Sequence, residues 1–255
     1  MNTNECKLCK IEIANKKNSH IVPKFLGKEL LNSNHVEQIN KNGKSKKIHS
    51  IPKEDFIFCS ICEKRFEIIE TYFARFFNKL RNYEKYPEDF LLQKIETQYY
   101  MICNKMNPIL FKLFIYSLIW RLSISTHSAN QNFKLPDEIE DELRIFLNLN
   151  LSVSHRILLE TIEKVINFPS YDLCIIKPEK KTDNFKGMYS AFQLSESSYL
   201  LVLVEFILFF YIDNSIDAAL KRFSNNQNKS VIIPISDDTQ WIYLNQIILS
   251  KMLNN

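Results

Sequence analysis

The sequence predicts an α+β protein in three parts: an N-terminal module built on two cysteine knuckles (residues 1–85), a central helical bundle (86–168), and a small C-terminal antiparallel sheet with a helix (169–255). Three observations carry this. Two C-x2-C pairs lie near the N-terminus, Cys6/Cys9 and Cys59/Cys62. Apolar residues then recur every three or four positions. After Pro169 the texture changes to short β-branched and aromatic runs separated by polar turns.

The first pair opens the chain, and the second opens a helix. A two-residue spacer lets a tight knuckle aim two thiolates at one ion, and two knuckles complete the tetrahedron that Zn²⁺ prefers. Cys6, Cys9, Cys59 and Cys62 therefore read as ligands of a structural zinc, closed to substrate because all four positions are thiolates. Between the pairs runs Ser19-His20-Ile21-Val22-Pro23, an extended stretch that Pro23 keeps from continuing as a regular helix or central strand. His20 is expected at an element boundary. From Cys62 onward Phe66, Ile69, Phe73, Phe76 and Leu80 mark an amphipathic helix, with Glu63, Glu67 and Glu70 on or near one face. Those carboxylates suit a hard divalent cation; equally, they suit the positive end of a helix dipole and pairing with Lys64 or Arg65.

Further along, Pro108 sits at the first turn of a strongly apolar helix reaching Thr126, which should be buried. Arg121 within it is an interior ion-pair residue or a ligand-reading group. Asp137 and Glu138 start another helix, and a third is expected near Ser154 to Ile166. Cys103 is placed on a helical stretch and Cys174 on a strand, both as small core residues. Strands are expected over 171–176, 188–194, 199–212 and 231–235, closed by a helix from Asp238 to Met252.

Composition bounds the function. With 255 residues, 45% hydrophobic and 13% aromatic, the chain can bury a real core, and it is neither disordered nor of low complexity. The three glycines, Gly27, Gly43 and Gly187, are isolated, which excludes a phosphate-cradling loop of the P-loop or dinucleotide type. No Gly-x-Ser-x-Gly nucleophile motif exists. The start Met-Asn-Thr-Asn-Glu-Cys has neither a basic stretch nor an apolar core, so the expected compartment is the cytoplasm. The longest apolar run, 199–212, is interrupted by Glu205 and falls short of the roughly 20 residues of a membrane helix.

The net charge of +4 conceals an asymmetry, because residues 1–53 hold eleven lysines and four glutamates, a balance of +7. Lys44, Lys46 and Lys47 lie in a glycine-containing stretch, residues 40–47, without apolar periodicity. It reads as a basic loop able to lie along a polyphosphate backbone, or as a solvated surface loop.

The order C-x2-C, then histidine with Ile-Val-Pro, then C-x2-C opening a helix, resembles the zinc-stabilised branch of the HNH endonucleases, which have a ββα-metal core. The stretches Ser-His-Ile-Val-Pro-Lys-Phe-Leu, Phe-Cys-Ser-Ile-Cys-Glu-Lys-Arg-Phe and Ser117-Leu-Ile-Trp-Arg-Leu-Ser123 are also similar to a group of bacterial HNH-like proteins. The HNH comparison proper covers roughly residues 1–80. It implies that His20 is the general base that activates water, that the four cysteines bind zinc, and that Glu67 or Glu70 is the helix ligand of a catalytic metal. The sequence departs from the family at three positions: Ser19 stands where an Asp or Glu metal ligand often precedes the histidine, Glu63 where Asn or His usually follows the second knuckle, and Glu67 where the helix histidine usually stands. An active variant would bind Mg²⁺ or Mn²⁺ through carboxylates, with His35 or His49 as further donors. The resemblance thus implies a metal-dependent nuclease acting on nucleic acid, DNA by preference, in bacterial defence or a mobile element. A zinc-stabilised binding or regulatory protein without catalysis is the competing class. The C-terminal region is left for a partner protein or a second subunit.

Overall fold

The computed structural model describes residues 5–26, 36–39, 45–48, 52–165, 168–179, 189–203, 205–213, 215–226 and 229–254. In chain order the N-terminal module contributes β1 (Ser19–His20), β2 (Val36–Ile39), β3 (Ser45–Ile48), β4 (Lys53–Glu54) and α1 (Ser60–Arg81). A hairpin follows, β5 (Phe90–Ile95) and β6 (Gln98–Cys103), then helices α2 (Pro108–Ile124), α3 (Asp137–Asn150) and α4 (His155–Ile162). The rest of the chain gives β7 (Asp172–Pro178), β8 (Tyr189–Ser195), β9 (Ser198–Leu203), β10 (Phe206–Tyr211), the short α5 (Ala218–Lys221), β11 (Val231–Ser236) and α6 (Asp238–Asn254).

The α+β class holds, but the sheet is neither small nor confined to the C-terminal third. It has seven strands in the order β5-β6-β11-β7-β10-β9-β8. Two of them come from the region expected to be helical, and β11 runs parallel to β7 while the other pairs are antiparallel. Cys103 accordingly ends strand β6, opposite Val231, instead of lying on a helix. The run expected as a single strand over 199–212 is two strands folded back on each other, with Phe206 opposite Leu203. Part of the expected basic loop is a hairpin strand, for β3 pairs with β2 and sets Lys47 opposite Glu37 and Lys46 opposite Gln38. Lys44, His35, His49 and the three glycines lie outside the described residues.

Both faces of the sheet are covered at its central strands, which is why β7, β9 and β10 are buried along their whole length and read as continuous apolar runs. One face (Leu173, Ile175, Leu201, Leu203, Phe206, Leu208) packs with α1 and α2 in the larger core. The other (Cys174, Ile176, Leu200, Val202, Ile207, Phe209) packs with Phe223 and with Trp241 and Ile248 of α6. Alternate side chains of a strand point to opposite faces, so each central strand feeds both cores.

Helix α2 is the axis of the larger core. Buried residues run all around it, as its lack of polar periodicity implies. Asn107 caps it by accepting from the backbone N–H groups of Ile109 and Leu110, and Pro108 occupies the first turn. Helix α1 packs on it through Phe73, whose ring stacks on Phe114 at 4.4 Å, and through Phe77, which also meets Phe206 of β10 edge-on at 5.1 Å. The buried stripe of α1 is Phe66, Ile69, Phe73, Phe77 and Leu80; of the neighbouring phenylalanines, Phe77 and not Phe76 is the fully buried one. No helix among the described residues is long and apolar enough to cross a membrane.

Candidate metal centre and the strand histidine

The first knuckle is sewn to the approach to the second. Lys7 N–H donates to Ile57 O at 2.9 Å, Asn15 and Lys16 N–H both donate to Phe58 O at 3.1 Å, and Phe56 N–H returns to Lys16 O at 2.6 Å. Within the first knuckle, Lys10 N–H donates to Cys6 O at 3.0 Å, and Lys10 takes a left-handed φ of 55° to make the turn. Cys59 caps helix α1 by accepting from Cys62 N–H at 3.4 Å, so the second knuckle is the helix start itself.

These constraints gather the four Sγ atoms of Cys6, Cys9, Cys59 and Cys62 within 4.8 Å of one another, three of the residues being buried and Cys9 half-buried. Tetrahedral zinc at about 2.3 Å from each sulfur needs sulfurs about 3.8 Å apart, so the quartet fits a metal with small inward adjustment. The Cys62 thiol donates to Cys6 and holds its pKa down at about 4, while that same bond and burial push Cys62 up. Metal binding releases the thiol protons, because the thiolate is the ligand. The four cysteines are not paired as disulfides. Among the described residues they are the one group of three or more His, Cys, Asp or Glu side chains gathered closely enough to hold an ion.

The knuckles position a small ββα arrangement. Strand β1 pairs antiparallel with β4, Ser19 opposite Glu54 and His20 opposite Lys53, and Ile21 N–H extends the pairing to Pro52 O at 3.1 Å. Ser19 is fully buried, and its hydroxyl donates to Glu63 Oε2 on the first turn of α1 at 2.8 Å. His20, next along the strand, is half-buried. Burial, then the positive charges of Lys53, Arg121 and Lys24, hold its imidazole below the ordinary pKa of 6.5. At neutral pH it is therefore an uncharged base.

Arg121 ties this hairpin to the helices. It is buried, and its Nη1 reaches both His20 O at 2.9 Å and Glu70 Oε1 at 2.5 Å, while Nε donates to Ser117 O at 3.1 Å. Its guanidinium lies 4.9 Å from the centre of the Phe66 ring. The link between strand and helix carboxylate thus runs through the backbone carbonyl of His20. Burial pushes the Glu70 carboxyl up, the Arg121 charge and hydrogen bond draw it back, and Glu63 and Glu67 add to the rise. Glu67 is exposed and pairs with Lys64 at 2.9 Å.

The structure therefore brings Ser19 and Glu63 together and engages Glu70 with Arg121 and Glu67 with Lys64. Sequence reasoning missed Glu54, whose carboxylate accepts from the Thr126 hydroxyl and His127 N–H, both at 3.0 Å, and from the Ser125 hydroxyl. It anchors the loop after α2 to the histidine hairpin, and nothing in the local sequence marks it. Lys24 and Lys53, which surround His20, were visible only as members of a basic N-terminus. Compared with family models, curated proteins and solved structures, the chain has no match.

Proposed function

We propose that this protein is a zinc-stabilised, HNH-like phosphodiester hydrolase acting on nucleic acid, with His20 as the general base and bacterial defence as its setting. The observation that carries the reading is the 2.8 Å bond from Ser19 to Glu63. Ser19 stands where the resemblance often has a metal ligand, directly before His20, and the bond joins it to a helix carboxylate 44 residues away in sequence. A hydroxyl and one carboxylate are hard oxygen donors, and they fit Mg²⁺ or Mn²⁺, which keeps most of its waters and shares the rest of its shell with a phosphate. When bound, such an ion polarises the scissile phosphate and stabilises the departing oxyanion. His20, uncharged at neutral pH, takes the proton from the attacking water. Lys24 and Lys53 favour an anionic substrate near the imidazole. The quartet of sulfurs, holding zinc, keeps the hairpin against α1 and takes no part in the chemistry.

A second reading, a nucleic-acid-binding protein that does not cut, is favoured by the partners of Glu70 and Glu67, which leave Glu63 as the carboxylate at the proposed centre. A plasmid-nicking assay with Mg²⁺ or Mn²⁺ separates the two. The hydrolase reading expects nicking by the wild type and a loss of about 10²–10⁴-fold in zinc-loaded, folded His20→Ala, the usual worth of a general base. An inert wild type in either metal, still able to bind DNA, establishes the second reading.

A further inference from the structure

We propose that two copies of this chain join edge to edge through β5, as antiparallel strands about a two-fold axis at Gln93. β5 is the outermost strand of the seven-stranded sheet and pairs on one side with β6. The opposite outer strand, β8, is interrupted in register after Gln193, whose N–H is taken up by Asn132 O at 2.9 Å. Among the described residues nothing covers the open side of β5 in that way.

The register fixes which backbone groups stand at that side. Ile95 and Gln98 close a two-residue turn in which Glu96 has a φ of 54°, so this pair is bonded both ways and the ladder alternates from it. Leu91 and Gln93 then turn their N–H and C=O groups to β6, and Phe90, Leu92 and Lys94 turn theirs outward. Phe90 N–H accordingly donates to Tyr86 O at 3.1 Å and not to β6. Leu92 and Lys94 keep both groups without a protein partner among the described residues. Native sheets protect such an edge with proline, charge, a bulge or a covering loop. Of these β5 has Lys94, and its ammonium lies over the Tyr99 ring at 4.9 Å. Leu91, Leu92 and Ile95 stand exposed along the same strand.

An extended chain is the occupant that meets a row of outward N–H and C=O groups. The side chains of β5 select a second β5. With Gln93 opposite Gln93 of the second copy, Leu91 faces Ile95 and Ile95 faces Leu91, so apolar groups now at solvent cover each other. Leu92 and Lys94 exchange backbone bonds with Lys94 and Leu92 of the second copy, about four in all, which take up every outward group of the two residues. Lys94, the one charged residue of the strand, meets aliphatic Leu92 and not its own copy. Glu96 of each copy comes to the start of the other's β5, where Lys105 holds Asp89 at 2.8 Å. The contact is isologous and closes at two copies, with one sheet running through both. It rests on the sheet alone and holds whether or not the protein cuts nucleic acid.

Zinc-loaded protein is followed by sedimentation velocity from micromolar to near-millimolar concentration. The expected result is a monomer that passes to a dimer, and to nothing larger, as concentration rises. On the axis the two copies of Gln93 form an unbonded pair with Cα atoms about 4.5 Å apart, within reach of a disulfide. Gln93→Cys should therefore cross-link to a dimer under mild oxidation, whereas Leu91→Cys, exposed on the same face but opposite Ile95, should not. Gln93→Lys sets like charges opposite each other, and Leu92→Pro removes an outward N–H that β6 does not use; each should weaken the dimer at least tenfold at unchanged zinc content and circular dichroism. A wild type that stays monomeric throughout, cross-linking at Leu91 equal to that at Gln93, or a dimer unmoved by folded Gln93→Lys would overturn the proposal.

Discussion

Replacing Arg121 with methionine should destabilise the protein far more than the loss of one surface charge. The guanidinium is 1% exposed and satisfies three oxygens, those of Ser117, His20 and Glu70, in addition to its contact with the Phe66 ring. Methionine fills much of the volume, so the cost arises mainly from the groups left behind. Removing one partner of a buried ion pair costs about 3–5 kcal/mol. Glu70, with 19% of its side chain exposed, recovers part of this from water, which places the expectation near about 3 kcal/mol. Arg121→Met/Glu70→Met should recover about 1–2 kcal/mol of the loss, because no uncompensated charge remains. The assay is urea denaturation of zinc-loaded protein, followed by circular dichroism. The pH dependence carries a sign. Burial raises the folded-state pKa of Glu70, and without Arg121 the two influences that restrain it vanish. An acid raised on folding contributes stability that is full below its unfolded pKa and is lost as pH rises through the folded value. The deficit of Arg121→Met should therefore be larger at neutral pH than at a pH below the ordinary carboxylate value of 4.5. A single variant losing under about 1 kcal/mol at both pH values, with a double variant equal to the sum of the singles, would refute the view that this pair fastens the hairpin to the helices.

Three further outcomes are expected. Cys59→Ser removes a sulfur of the quartet while its hydroxyl still caps α1, and metal analysis should find tight zinc lost along with a lowered melting temperature. Phe114→Ala, at a fully buried position stacked on Phe73, should cost about 3–5 kcal/mol in denaturation while leaving zinc content unchanged. Neutralising Lys44, Lys46 and Lys47 to glutamine should weaken duplex binding and reduce the slope of log K against log salt by about 2.7, at about 0.9 per phosphate contact, in a filter-binding or anisotropy series.

The parts of the fold legible in the sequence are those where one physical signal dominates. The knuckle spacing announced the sulfur quartet, and α1 and α2 were readable because one has a clear apolar stripe and the other is apolar throughout. The hairpin of β5 and β6 was not readable. Leu91 and Leu92 of β5 are 44% and 46% exposed, so successive apolar residues stand at solvent and no alternation marks the strand. On β6 only Met101 and Cys103 are buried, a spacing too short to separate strand from helix. The 199–212 run concealed a turn because strands covered on both faces have no polar side; Glu205, at the break, pairs with Arg81. At the site, cysteines and histidine were visible as residue types. The Ser19–Glu63 bond, the Glu70–Arg121 pair and the Glu54 anchor span 44 to 73 residues of sequence, and contacts of that separation leave no local pattern.

X-ray absorption at the zinc edge of the purified protein tests the central claim most directly, that one metal bound by four sulfurs builds the histidine hairpin against α1. The account predicts one zinc per chain with four sulfur neighbours at about 2.3 Å. A shell containing nitrogen or oxygen donors, or folded protein of full stability free of metal, would contradict it.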